Sequence, residues 1–86
     1  MEIIYTAKAK NDLTRIHWKT RNSLINYISQ YKQAKNIKKT DLKLIQNTEL
    51  YKLPFNDYIA VSKVNEDTAE LNILTVLEKK KIKLPE

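Results

Sequence analysis

Glycine and cysteine are both missing from this chain of 86 residues. Without glycine there is no phosphate-cradling loop of the Walker or dinucleotide type, which argues against nucleotide-dependent chemistry. Without cysteine there is no disulfide framework and no thiolate metal site, which fits a reducing compartment. Histidine occurs once, at His17, so a transition-metal centre lacks ligands. Arginine is scarce, with Arg15 and Arg21 the two present. The positive charge is therefore mostly lysine, a point charge without a planar fork, which suits contact with a phosphate backbone better than readout of bases. No apolar run approaches the ~20 residues that span a bilayer, and MEIIYTAKAK lacks the apolar core of a signal peptide. The expectation is a cytoplasmic protein with no membrane partner, no metal and no cofactor.

What is present is charge and a modest apolar fraction. Sixteen basic residues against 10 acidic ones give a net charge of +6, which favours a polyanionic partner. The apolar content of 42% suffices for one core. A chain of this length buries roughly 60–65% of its unfolded surface, so residues 1–86 are read as a single domain.

The stretch from Leu50 to Lys83 organises the rest. Within it, Glu70–Leu77 is apolar on both faces through Leu71, Ile73, Leu74, Val76 and Leu77, which predicts a strand inside a sheet. Tyr58–Val64 is a second strand, joined to it by Asn65-Glu66-Asp67-Thr68. Leu50–Leu53 is a third, closed or placed at an edge by Pro54, with Asn56-Asp57 as the turn.

Upstream, Glu2–Thr6 reads as a short strand. Thr6 is a fair N-cap for a helix from Ala7 to His17 or Trp18, with Ala9, Leu13 and Ile16 on its apolar face. His17 is expected to be partly buried, Trp18 to plug the core. A break near Lys19–Thr20 precedes a second helix carrying Leu24, Ile25, Ile28 and Tyr31. Lys32–Lys43 then holds five lysines against one aspartate and reads as a solvated basic connection. Leu42, Leu44 and Ile45 anchor it back to the core. The order is β-α-α-β-β-β: an α+β fold, an antiparallel sheet with an N-terminal strand and a helical hairpin packed on one face.

Two segments carry a family resemblance. EIIYTAKAKNDLTRI, Glu2–Ile16, has a strand, an alanine-containing helix start and an Asp-Leu pair. DYIAVSKVNEDTAELNILTVLEKK, Asp57–Lys80, is a pair of strands around a turn, opening on Asp-Tyr. In this order and at this length the chain resembles the RelE/ParE superfamily of bacterial toxins. The resemblance implies a toxin of a type II toxin–antitoxin pair, with a cognate antitoxin as partner. The short helical hairpin is similar to the RelE branch, whose members cleave messenger RNA on the ribosome and inhibit translation. The ParE branch, with longer helices, poisons DNA gyrase. The chain departs from the RelE pattern at Ile59, where an arginine usually follows the tyrosine. Its end, Lys83-Leu84-Pro85-Glu86, has no tyrosine or histidine. A non-nucleolytic member, whether a gyrase-directed toxin or a module that binds antitoxin or RNA, is the alternative.

Metal-free RNA cleavage needs a base for the 2′-hydroxyl, stabilisation of the charged phosphate and an acid for the leaving oxygen. Lys52 matches a basic position of the family, and together with Lys79, Lys80 and Lys81 it supplies the candidate catalytic set. A lysine crowded by other lysines also has a lowered pKa and can exchange protons. Lys35, Lys38, Lys39, Lys43 and Lys83 are candidate RNA-backbone contacts. Tyr51 and Tyr58 can stack on bases, although core or sheet packing is the favoured account of them.

Overall fold

The computed structural model describes residues 1–33 and 42–81, the last by its backbone alone. The candidate contacts Lys35, Lys38, Lys39 and Lys83 lie outside the described residues. In chain order the elements are β1 (Glu2–Tyr5), α1 (Ala7–Thr14), α2 (Trp18–Ser29), a 3-10 turn (Gln30–Gln33), β2 (Lys43–Leu44), β3 (Leu50–Phe55), β4 (Tyr58–Asn65), β5 (Glu70–Glu78) and a second 3-10 turn (Lys79–Lys81).

The strand that is apolar on both faces does lie inside the sheet. The strand order is β1-β5-β4-β3-β2, so β5 is flanked by β1 and β4. The β2–β3, β3–β4 and β4–β5 pairs are antiparallel. The N-terminal strand runs parallel to β5, with Ile3 opposite Leu71 and Tyr5 opposite Ile73. The two-residue β2 is a strand that periodicity does not reveal, being too short to show alternation. It is pinned to β3 by Lys43 opposite Lys52 and Leu44 opposite Tyr51.

One sheet face carries the core. Ala9 and Leu13 of α1 and Leu24 and Ile28 of α2 pack with Leu53, Ala60, Leu71, Ile73 and Val76. Each fully buried leucine or isoleucine contributes about 1.5–3 kcal/mol relative to exposure. Tyr51, Phe55, Tyr58 and Val64 sit half-buried against the same cluster. Alternation along the strands therefore sends Lys52, Pro54, Ile59, Val61 and Lys63 to the opposite, open face.

Where β1 ends, β5 has free backbone groups, and the sequence supplies partners for them. The β4–β5 register slips between Val61 and Ser62, so Leu74 is the extra residue of a β-bulge. The Thr6 hydroxyl donates to the Leu74 carbonyl at 2.8 Å and accepts the Ala9 N–H at 3.1 Å. One threonine thus caps α1 and closes the bulge. Asp12 Oδ2 accepts the Thr75 hydroxyl at 2.6 Å and the Val76 N–H at 3.0 Å.

With no glycine available, three other residues among those described take positive φ: Asn47 at 63°, Asn56 at 52° and Ala69 at 54°. The asparagines tolerate this conformation. Ala69, closing the Glu66–Ala69 loop, bears a Cβ penalty there.

Several expectations near the helical break are corrected. Helix α1 ends at Thr14, not at His17 or Trp18. The break falls at Arg15–His17, not near Lys19–Thr20, and His17 caps α2 by accepting the Lys19 N–H on Nδ1 at 3.3 Å. His17 is exposed and not partly buried. Trp18 follows it to the surface and is 55% exposed, stacked on His17 with Lys19 Nζ 5.6 Å from its ring. Leu42 and Ile45 anchor the connection as expected, whereas Leu44 is 55% exposed.

Candidate functional site

The open sheet face gathers cations from neighbouring strands. Lys52 on β3 stands directly opposite Lys43 on β2. Across its other edge it faces Val61, which is buried. Lys63 on β4 stands opposite Leu50, two residues from Lys52, on the same face. Like charges placed directly across a ladder repel. Neither Lys43 nor Lys52 forms an ion pair with a described residue. Two opposed lysines with no ion pair among the described residues are an electrostatic cost that an anionic ligand would relieve.

Lys79, Lys80 and Lys81 lie elsewhere. They form the 3-10 turn after β5, and the Lys79 N–H donates to the Asp57 carbonyl at 2.8 Å. This fastens the cluster beside the Asn56–Asp57 turn. The register aligns Lys52 with Val61 and Thr75, and Lys79 is four residues beyond Thr75. The two backbone positions are therefore separated by about 13 Å along the strands and about 10 Å across them. The sequence-predicted catalytic set divides into two basic sites at different levels of the sheet. Lys80 Nζ is 3.9 Å from Glu78 Oε2 and is highly exposed.

The two candidate aromatics face the other way. Tyr51 and Tyr58 pack against the core cluster, on the helix-covered face, and do not share a surface with Lys52. Tyr58 instead borders a cleft of about 230 Å³ between α1 and the end of β5, with Lys8, Asp12, Arg15 and Glu78 around it. Within this cleft Asp12 is committed to structure. Burial raises its pKa, but the Thr75 hydroxyl, the Val76 N–H and Lys8 at 3.5 Å outweigh that and hold it below the ordinary carboxylate value.

Between the two basic sites the open face is apolar. Pro54, Ile59 and Leu77 fall in one register row, each half-buried. The absent arginine after Tyr58 is thus part of a wider apolar strip. Sequence reasoning missed Lys63, because its place beside Lys52 depends on strand register. The alternation Ile59, Val61, Lys63 was the available signal.

No protein-family model and no curated protein sequence matches the chain. Solved structures do match its fold. The intact RelBE toxin–antitoxin complex of E. coli aligns with a TM-score of 0.72 at 15% identity, over 90% of this chain and 94% of that one. The RelB–RelE complex of Methanococcus jannaschii aligns with a TM-score of 0.70 at 22% identity, over 91% and 92%. The RelE–RelB complex of Pyrococcus horikoshii aligns with a TM-score of 0.75 at 13% identity, over 94% and 97%. In helix order, sheet and length, the chain has the fold of the RelE toxins.

Proposed function

We propose that this protein is the toxin of a type II toxin–antitoxin pair, a metal-independent endoribonuclease that cleaves messenger RNA on the ribosome and so inhibits translation. The observation that carries this reading is near end-to-end agreement with RelE structures, over about nine-tenths of both chains. The net charge of +6 and the opposed Lys43–Lys52 pair support an RNA target. In this reading Lys52 stabilises the charge that builds on the scissile phosphate. Lys79, Lys80 and Lys81 hold a neighbouring part of the RNA or exchange the proton on the leaving oxygen. The partner is a cognate antitoxin that masks the basic surface, and the site of action is the cytoplasm.

The apolar row Pro54–Ile59–Leu77 favours a second reading, a non-nucleolytic member of the same fold that binds its antitoxin, RNA or DNA gyrase. Induced expression in a bacterial host separates the two. Growth arrest with new messenger 5′ ends inside codons is the expected result. Arrest with intact transcripts and DNA-damage signalling identifies gyrase as the target, and unimpaired growth rejects the toxin reading.

A further inference from the structure

We propose that the cleft between α1 and the end of β5 is a binding site for one carboxylate on a short aliphatic stem, held by the Arg15 guanidinium and the Tyr58 hydroxyl. Both sides of the fold build it. Lys8, Asp12 and Arg15 follow at spacings of four and three, so they share one stripe of the helix and its C-cap. Tyr58 opens β4 directly opposite Glu78 of β5, and these two line the cleft with the three helical residues. The floor is apolar: Ile16 and Val76 are buried and Leu77 is half-buried.

Most polar groups of the cleft already have partners. Asp12 accepts from Thr75 and Val76 on one oxygen and pairs with Lys8 on the other. Glu78 lies 3.9 Å from Lys80. Arg15 donates its backbone N–H to the Asp12 carbonyl at 3.1 Å. Its guanidinium, however, has no ion pair among the described residues, and the Tyr58 hydroxyl has no hydrogen bond among them. Both remaining groups are donors, so they select an acceptor. A planar carboxylate matches the guanidinium fork. One unpaired cation balances one negative charge, whereas a phosphate monoester carries about 1.5–2 and would sit beside Asp12 and Glu78. The cleft holds about 230 Å³, below the range of about 300–1,000 Å³ that suits drug-sized ligands. It therefore admits a group the size of a side chain, with its methylenes on Ile16, Val76 and Leu77. A glutamate of a partner polypeptide and a free short-chain acid present the same chemistry. Because Tyr58 and α1 lie on the helix-covered side, the site is independent of the RNA reading.

The test is a ¹⁵N NMR titration of the full chain with sodium butyrate at constant ionic strength, following the Arg15 Nε–H and the backbone amides of Ile16, Leu77 and Glu78. Butyrate is expected to give saturable shifts confined to these groups, and its neutral counterpart butyramide none. Arg15→Gln should weaken binding about tenfold or more, and Tyr58→Phe about threefold. Lys10→Gln, an exposed change on α1 outside the cleft, should leave it unchanged, and the spectra themselves show whether each variant is folded. Shifts spread over the lysine-bearing surface, an undiminished response in Arg15→Gln, or tighter binding of inorganic phosphate than of butyrate would each overturn the site. The peptide acetyl-Ala-Glu-Ala-amide is titrated in parallel to find the source of the carboxylate. Tighter binding than butyrate assigns it to a polypeptide partner, and weaker binding to a free small acid; either result upholds the site.

Discussion

Asp12 Oδ2 lies 2.6 Å from the Thr75 hydroxyl, joining α1 to β5 across 63 residues of sequence. The same oxygen accepts the Val76 N–H, so one carboxylate satisfies two donors beside the Leu74 bulge. Removing it by Asp12→Ala leaves both donors unpaired in a largely buried place. The expected cost is about 2–3 kcal/mol, read as a lower urea midpoint with unchanged slope.

The same contact sets a pH dependence. The folded-state pKa of Asp12 is depressed, so near pH 4 the unfolded chain binds a proton that the folded chain resists. The stabilisation is full above the unfolded carboxylate value of about 3.9 and is lost as the pH falls through the lower folded value. Urea unfolding of the wild type and of Asp12→Asn at pH 7 and pH 3 checks this. The wild type should lose more stability on acidification than the variant does. Equal losses would exclude Asp12 as the group responsible.

Ala69 offers a gain instead of a loss. Its φ of 54° costs an L-residue about 1–2 kcal/mol. Glycine removes that strain but makes the unfolded chain more flexible, which returns part of the gain. Ala69→Gly is expected to stabilise the protein by about 0.5–1 kcal/mol, visible as a Tm higher by several degrees.

Trp18 is the one tryptophan, and it is 55% exposed. Its emission should be red-shifted and readily quenched by acrylamide in the native state. Trp18→Ala should change stability by about 0.5 kcal/mol or less, as for other surface substitutions. A blue-shifted, protected emission would instead mean that the ring is covered in solution.

The sheet was legible in the sequence because period-two alternation and a two-faced apolar strand leave few arrangements. Glu70–Leu77 had to be internal, and Thr6 had to start a helix. The His17–Trp18 corner was not legible. Helical periodicity continues through Ile16, and nothing local shows that the chain leaves the helix at Arg15 and reuses His17 as a cap. The β2 strand and the parallel sense of β1 depend on long-range pairing that no short window contains. The site suffered most from this. Lys52 and Lys79–Lys81 are all cationic in one dimension, yet register places them at separate levels of the sheet, and it brings in Lys63, which composition does not distinguish.

That separation bears directly on activity. Groups more than 7–10 Å apart with no shared partner contribute nearly additively in free energy. Lys52→Ala removes the cation proposed to face the scissile phosphate and should reduce messenger cleavage about 100-fold or more. The triple change of Lys79, Lys80 and Lys81 to Ala removes a distant set of contacts and should weaken RNA or ribosome binding more than the chemical step. Combining the two should multiply their separate losses, measured as single-turnover cleavage on stalled ribosomes with folding checked by circular dichroism. A combined loss no larger than that of Lys52→Ala alone would mean that all four lysines act as one catalytic unit, brought together by a rearrangement on the ribosome. Undiminished cleavage in both variants would remove these lysines from the mechanism.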